Sequence, residues 1–119
     1  MILPSRVSGY IKVLKSGNEE ELGMPIVTAH IVVQGQVQGV GFRKYIKDAA
    51  DALGLSGNVQ NQPDGDVKAI AVGEREVIEQ LIAKIEAGNG FSKITKVGVK
   101  WKDWGEPEGE FKIVKTSFW

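Results

Sequence analysis

Two stretches with helical periodicity, each lying between runs of β-branched residues, restrict the fold of this chain more than any other feature. In residues 42–53 and 74–87 the apolar side chains recur three or four positions apart, which predicts two helices that each bury one face. Runs rich in Val, Ile and Ala predict strands at residues 28–34, 55–61, 66–72, 94–101 and 111–114. The predicted order is therefore β-α-β-β-α-β, followed by a short fifth strand.

This order predicts an α+β protein, a ferredoxin-like α/β sandwich. Two right-handed β-α-β units are joined by a hairpin whose tight turn is Pro63-Asp64-Gly65, which gives an antiparallel sheet with both helices on one face. Gly73 is expected to end the third strand. Because RNA-binding and metal-carrying domains share this architecture, the fold class alone defines no function.

The composition narrows the functional classes. The chain has 119 residues with 15 basic and 15 acidic side chains, so its net charge favours neither a nucleic acid nor an anionic membrane as partner. It contains no cysteine, one histidine (His30) and no acidic residues at metal-ligand spacing, so we expect no metal and no cofactor. His30 is expected to be an ordinary strand residue rather than a catalytic base. The absence of cysteine fits a reducing compartment, and we expect a cytoplasmic protein.

The two ends of the chain stand apart from this pattern. Residues 1–23 are expected to form an N-terminal extension of unknown role, with a short strand at Tyr10–Leu14, and residues 24–119 to form one domain. Either Met24 is the native start, or the extension is an arm that pairs with a sheet edge or a neighbouring subunit. We expect a monomer or a weak dimer, the latter through Phe118-Trp119.

The strongest functional signal lies between the first predicted strand and the first predicted helix, in the segment Gln36-Val37-Gln38-Gly39-Val40-Gly41-Phe42-Arg43. Glycines let the backbone approach an anion without a Cβ in the way, and N–H groups at a helix N-terminus add partial positive charge. The guanidinium of Arg43 can clamp two phosphate oxygens. The segment therefore predicts a phosphate-binding loop. It is not a Walker loop, because the Gly-Lys-Ser/Thr ending is missing.

From about residue 26 to residue 114 the chain resembles the acylphosphatase family. Residues 35–43 match the family signature G-x-V-Q-G-V-x-F-R at every fixed position. Further agreement comes from Leu53-Gly54-Leu55-Ser56-Gly57, Val59, Asn61 and Asp64-Gly65-Asp66-Val67. Two departures are Asn58, where the family usually carries an aromatic residue, and the absence of a proline in residues 88–92.

The resemblance implies an enzyme that hydrolyses acyl phosphates to a carboxylate and inorganic phosphate. It also implies a metal-free site in which Arg43 binds the phosphate and Asn61 orients the attacking water. The predicted topology is compatible with this pair, because Asn61 ends a strand parallel to the one that precedes Arg43, so both residues lie at the same edge of the sheet.

Two functions other than hydrolysis are also compatible with parts of this pattern. A non-catalytic module could use the same loop to hold a phosphorylated ligand or carbamoyl phosphate for a partner. A single-stranded nucleic-acid binder would expose aromatic side chains on the open face of the sheet, among basic residues. The central strands supply Val, Ala, Asn, Gln and Lys instead, so we expect no nucleic-acid partner.

Overall fold

The computed structural model describes residues 10–14 and 20–115 of the chain. The strands in this part of the chain are β1 (Tyr10–Leu14), β2 (Glu20–Gln36), β3 (Ser56–Asn61), β4 (Val67–Glu74), β5 (Lys93–Lys102) and β6 (Phe111–Ile113). The helices are α1 (Phe42–Ala52) and α2 (Arg75–Ala87). The predicted element order is confirmed, and so is the short strand predicted at Tyr10–Leu14. Phe118-Trp119, the predicted dimer contact, lies outside the described residues.

β2 is an interior strand of the sheet, paired antiparallel with β4 on one side and with β5 on the other. β3 pairs antiparallel with β4, and β6 pairs parallel with β3. The fold class is therefore confirmed, with one refinement. β5, β2, β4 and β3 form the predicted antiparallel sheet, whereas β6 adds a parallel pair and makes the sheet mixed.

Both helices pack on the same face of the sheet, because alternate residues of the strands supply one continuous apolar surface. The buried strand residues on this face are Ala29, Ile31, Val33, Val59, Val67, Ala69, Ala71 and Phe111. The helices cover them with side chains spaced three or four positions apart: Phe42, Ile46, Ala49 and Ala50 from α1, and Ile78, Leu81 and Ile85 from α2. The core thus fixes the start of α1 against the ends of β2 and β3.

β2 begins earlier than predicted, at Glu20 rather than residue 28, because its first part pairs antiparallel with β1. Met24 therefore lies inside β2, and the division of the chain into 1–23 and 24–119 stays a prediction. β4 also differs from the prediction. Gly73 does not end this strand, because Gly73 and Glu74 continue the pairing with β2 opposite Val27 and Ile26. In the described part of the chain, no helix combines the length and the apolar character needed to cross a membrane.

His30 lies on the face of the sheet that points away from the helices, since the residues on either side of it are buried in the core. It is a half-buried residue of β2. Burial first, and then the positive charges of Lys102, Lys68 and Lys100, hold the pKa of His30 below its ordinary value of 6.5.

The substitution His30→Gln is expected to make the stability of the protein less sensitive to acid. Because the folded-state pKa lies below 6.5, the unfolded chain takes up this proton first as the pH falls, and the free energy of unfolding decreases. Glutamine takes up no proton in this pH range, so the free energy of unfolding of the variant falls less on acidification than that of the wild type. Urea denaturation at pH values above and below 6.5 measures the difference. Equal losses in the two proteins would contradict the prediction.

Candidate active site

The loop between β2 and α1 has the backbone geometry of an anion-binding turn. Gly39 and Gly41 adopt positive φ angles of 76° and 75°, and Val40 between them does not have a positive φ. A Cβ at either position would meet no atom within 4 Å, so glycine is required here by the backbone conformation rather than by space. Alternation of left-handed and ordinary conformations turns successive N–H groups toward one point, which is the geometry of an anion-binding nest.

The N–H groups of this loop are not used by the fold. The first hydrogen bond of α1 runs from the N–H of Tyr45 to the carbonyl of Gly41, at 3.0 Å. Within the described part of the chain, no hydrogen bond is donated by the backbone N–H groups of residues 39–44. Gly41 caps α1 without a side-chain hydrogen bond, and the first turn contains no acidic residue. The positive end of the helix is therefore available to an anion.

Two side chains hold the loop against other parts of the fold. The amide Nε2 of Gln38 donates hydrogen bonds to the carbonyls of Gln62 and Asp66, both at 2.8 Å, at the turn between β3 and β4. The amide Nδ2 of Asn89, in the connection from α2 to β5, donates to the carbonyl of Val40 at 2.8 Å. These contacts join the loop to segments that lie 24 to 49 residues away in the sequence.

The structure brings the two predicted catalytic residues to one cavity of about 280 Å³. Arg43, the second residue of α1, and Asn61, the last residue of β3, are both half-buried on its wall. Arg43 forms no ion pair with any residue in the described ranges. Of the predicted loop, Val37, Gly39, Gly41 and Phe42 line the cavity as well, whereas Gln36, Gln38 and Val40 do not. The last two serve the loop through the anchoring contacts described above.

The cavity also contains side chains that the sequence reasoning missed. Lys44 follows Arg43 in α1, and Ile113 and Lys115 come from β6 and the segment after it. Of the described residues that line the cavity, none is Asp, Glu or His. The same part of the chain has no group of three side chains placed to hold a metal ion. The wall thus combines cationic and amide groups, which suits an anionic ligand.

Gln38→Ala is expected to destabilise the protein and to lower its activity, whereas Gln36→Ala is not. The first substitution removes both anchoring hydrogen bonds at the β3–β4 turn, and part-buried polar contacts of this kind contribute about 1–3 kcal/mol. Gln36 is exposed, which makes it a matched control in the same segment. Urea denaturation and kcat/KM measure the two effects. A Gln38 variant as stable and as active as the Gln36 variant would show that the anchor is dispensable.

The fold and the cavity place this chain among the ferredoxin-like α+β sandwiches that present a helix N-terminus at one edge of the sheet. The acylphosphatase family model matches residues 29–113. An acylphosphatase from Thermococcus kodakarensis is 44% identical over 93 residues, covering 76% of this chain and 99% of that protein. One from Pelotomaculum thermopropionicum is 40% identical over 90 residues, covering 76% and 95%.

Solved structures give the same result. The crystal structure of acylphosphatase from Bacillus subtilis matches with a TM-score of 0.71 and 35% sequence identity, over 74% of this chain and 98% of that one. The chain belongs to the acylphosphatase family. The family predicted from the sequence is therefore confirmed, and with it the predicted class of enzyme, an acylphosphatase.

Proposed function

We propose that this acylphosphatase hydrolyses acyl phosphates in the cavity between the β2–α1 loop and Asn61. The observation that carries the proposal is that one small cavity is lined by Arg43, by Asn61 and by the glycines of the loop whose N–H groups the fold leaves unused. At about 280 Å³ the cavity is slightly smaller than the roughly 300–1,000 Å³ typical of drug-sized ligands, which suits a small acyl phosphate.

The phosphoryl group is held by the loop and by Arg43. The N–H groups of residues 39–44 and the positive end of α1 bind its oxygens, and the guanidinium of Arg43 forks onto two of them. A cation in the first turn of a helix is normally disfavoured by the helix dipole. A bound dianion offsets that repulsion, so the position of Arg43 makes sense with phosphate in place.

Hydrolysis then requires one water molecule in line with the bond to be broken. Asn61 orients this water, which attacks phosphorus on the side opposite the acyl group. The bond between phosphorus and the acyl oxygen breaks, the carboxylate leaves with the bonding electron pair, and a phosphoryl oxygen takes a proton from the water. The products are the carboxylate and inorganic phosphate.

The leaving group explains why this set of residues is sufficient. Carboxylic acids have pKa values of about 4, so the carboxylate leaves as an anion at neutral pH and needs no general acid. Catalysis then requires only that the charge on the phosphoryl oxygens is stabilised and that the water is positioned. These are tasks of electrostatics and orientation. The cationic and amide groups of the cavity wall provide this electrostatic stabilisation and this orientation of the water. Among the described residues of the wall there is no carboxylate that would repel the phosphoryl oxygens.

Hydrolysis of benzoyl phosphate in the presence of EDTA tests the proposal. We expect full turnover with the chelator and competitive inhibition by inorganic phosphate, which would occupy the same loop. Tight phosphate binding without turnover would instead favour a non-catalytic module that holds a phosphorylated ligand for a partner. Activity that requires a divalent ion would contradict the proposed mechanism.

The composition also bears on the cellular location and the partners of the enzyme. The balance of 15 basic and 15 acidic residues and the absence of cysteine support a cytoplasmic enzyme that acts on a small molecule without a nucleic-acid or membrane partner. We infer a monomer or a weak dimer, and sedimentation equilibrium over a range of protein concentrations distinguishes the two.

A further inference from the structure

The parallel pairing of β6 with β3 carries the chain to the edge of the sheet where the cavity lies. Val59 pairs with Ile113 in this register, and the N–H of Val114 donates to the carbonyl of Val59 at 2.9 Å. Asn61 ends β3 two residues after Val59, and Lys115 lies two residues after Ile113, the last residue of β6. Ile113 and Lys115 line the same cavity as the first residues of α1, so Lys115 lies on the side of the sheet that faces α1. Both Lys115 and Asn61 line the cavity.

Lys115 differs from the other lysine of the cavity in its surroundings. The ammonium of Lys44 lies 2.8 Å from the carboxylate of Asp48, one turn further along α1. Lys115 forms no ion pair with any residue in the described part of the chain, and the cavity wall contributed by that part holds no carboxylate. Within the described part of the chain its charge is therefore not neutralised by a carboxylate, and it is available to an anion in the cavity.

We propose that Lys115 binds the phosphoryl group from the side of Asn61, as a second cation beside Arg43; this rests on the function proposed above. Because the water attacks from the Asn61 side and the acyl group departs on the opposite side, the ammonium acts on the phosphoryl oxygens and not on the acyl group. It stabilises the negative charge that these oxygens share in the transition state and in the product phosphate.

The substitution Lys115→Met tests the proposal, with Lys112→Met as the matched control. Lys112 is exposed and points to the opposite face of β6. Since Lys115 is exposed to solvent, we expect a loss of about tenfold in kcat/KM for benzoyl phosphate, less than the ~10²–10³-fold typical of a preorganised donor. The dissociation constant of inorganic phosphate should rise by a similar factor. Lys115→Arg should retain most of the activity, and Lys112→Met should leave both quantities unchanged.

Ionic strength gives a readout that a purely structural role would not move. Salt screens the field of an exposed lysine, so the decline of kcat/KM with added salt should be steeper in the wild type than in Lys115→Met. Equal salt dependence in the two proteins, or kinetic constants for Lys115→Met equal to those of Lys112→Met, would overturn the proposal.

A matched pair of substrates separates the phosphoryl group from the acyl group. Succinyl phosphate carries a carboxylate where butyryl phosphate carries a methyl group, and both share the same phosphate. If Lys115 binds the phosphoryl group, its loss lowers kcat/KM equally for the two. A selective loss for succinyl phosphate would mean that Lys115 binds the acyl end and would overturn the proposal. Should the wild type fail to hydrolyse any acyl phosphate, the proposed function would fall, while phosphate titration would still decide whether Lys115 binds the anion.

Discussion

Replacing Arg43 with alanine is expected to lower kcat/KM for benzoyl phosphate by at least about 10²–10³-fold, the range typical of losing one donor to the transition state. Arg43 is half-buried on the cavity wall and forms no ion pair with the residues described in this structure. Its guanidinium is therefore free to follow the phosphoryl oxygens as they gain negative charge. The inhibition constant of inorganic phosphate should rise as well, because in the proposed mechanism Arg43 also binds the product.

Arg43→Lys is expected to fail nearly as badly. The guanidinium presents two parallel N–H donors to two oxygens, whereas an ammonium is a point charge that cannot reproduce this fork. Arg75→Lys is the matched control, because Arg75 lies at the start of α2 and its guanidinium stacks on the ring of Trp101, 4.1 Å from the centroid, away from the cavity. Urea denaturation of all three variants separates loss of chemistry from loss of folding. Turnover close to that of the wild type in either Arg43 variant would remove Arg43 from the mechanism.

Local periodicity was sufficient to predict the elements of this fold. The two helical stretches bury the predicted faces, and α1 ends at Ala52, one residue before the predicted end. The strands were predicted in order and, apart from β2, nearly in length, because their apolar residues alternate over a single core. Errors occurred where pairing with a distant strand outweighed a local signal. At Gly73 the backbone continues in β4 because β2 supplies its partner, although glycine has a low strand propensity.

The residues of the candidate site also fall into those that a local sequence signal predicts and those that depend on contacts between distant segments. Arg43 and the glycines of the loop carry signals that are local in the sequence, and Asn61 was found through the resemblance and the strand order. The anchors made by Gln38 and Asn89, and the position of Lys115, depend on contacts between segments far apart in the chain. Nothing in the composition of residues 103–115 indicates that β6 joins β3 in parallel. That register is set by packing, which periodicity does not report.

Asn61→Ala is expected to lower kcat by about 10²-fold, while the affinity for inorganic phosphate stays close to that of the wild type. The reason is that different residues of the cavity act on the phosphoryl group and on the water. In the proposed mechanism the loop and Arg43 hold the phosphoryl group, whereas Asn61, which lines the cavity at the end of β3, orients the attacking water. A residue that acts on the nucleophile affects the chemical step and leaves ground-state binding of the anion largely intact.

The control for this variant is Gln60→Ala, which removes an amide from the adjacent position of β3 on the opposite face of the strand. It should leave both kcat and phosphate binding unchanged. Steady-state kinetics with benzoyl phosphate and calorimetric titration with inorganic phosphate measure the two quantities separately. If Asn61→Ala weakened phosphate binding as strongly as it lowered kcat, Asn61 would be a ligand of the phosphoryl group. The water would then be oriented by another group, and the side of attack from which the role of Lys115 is inferred would have to be reassigned with it.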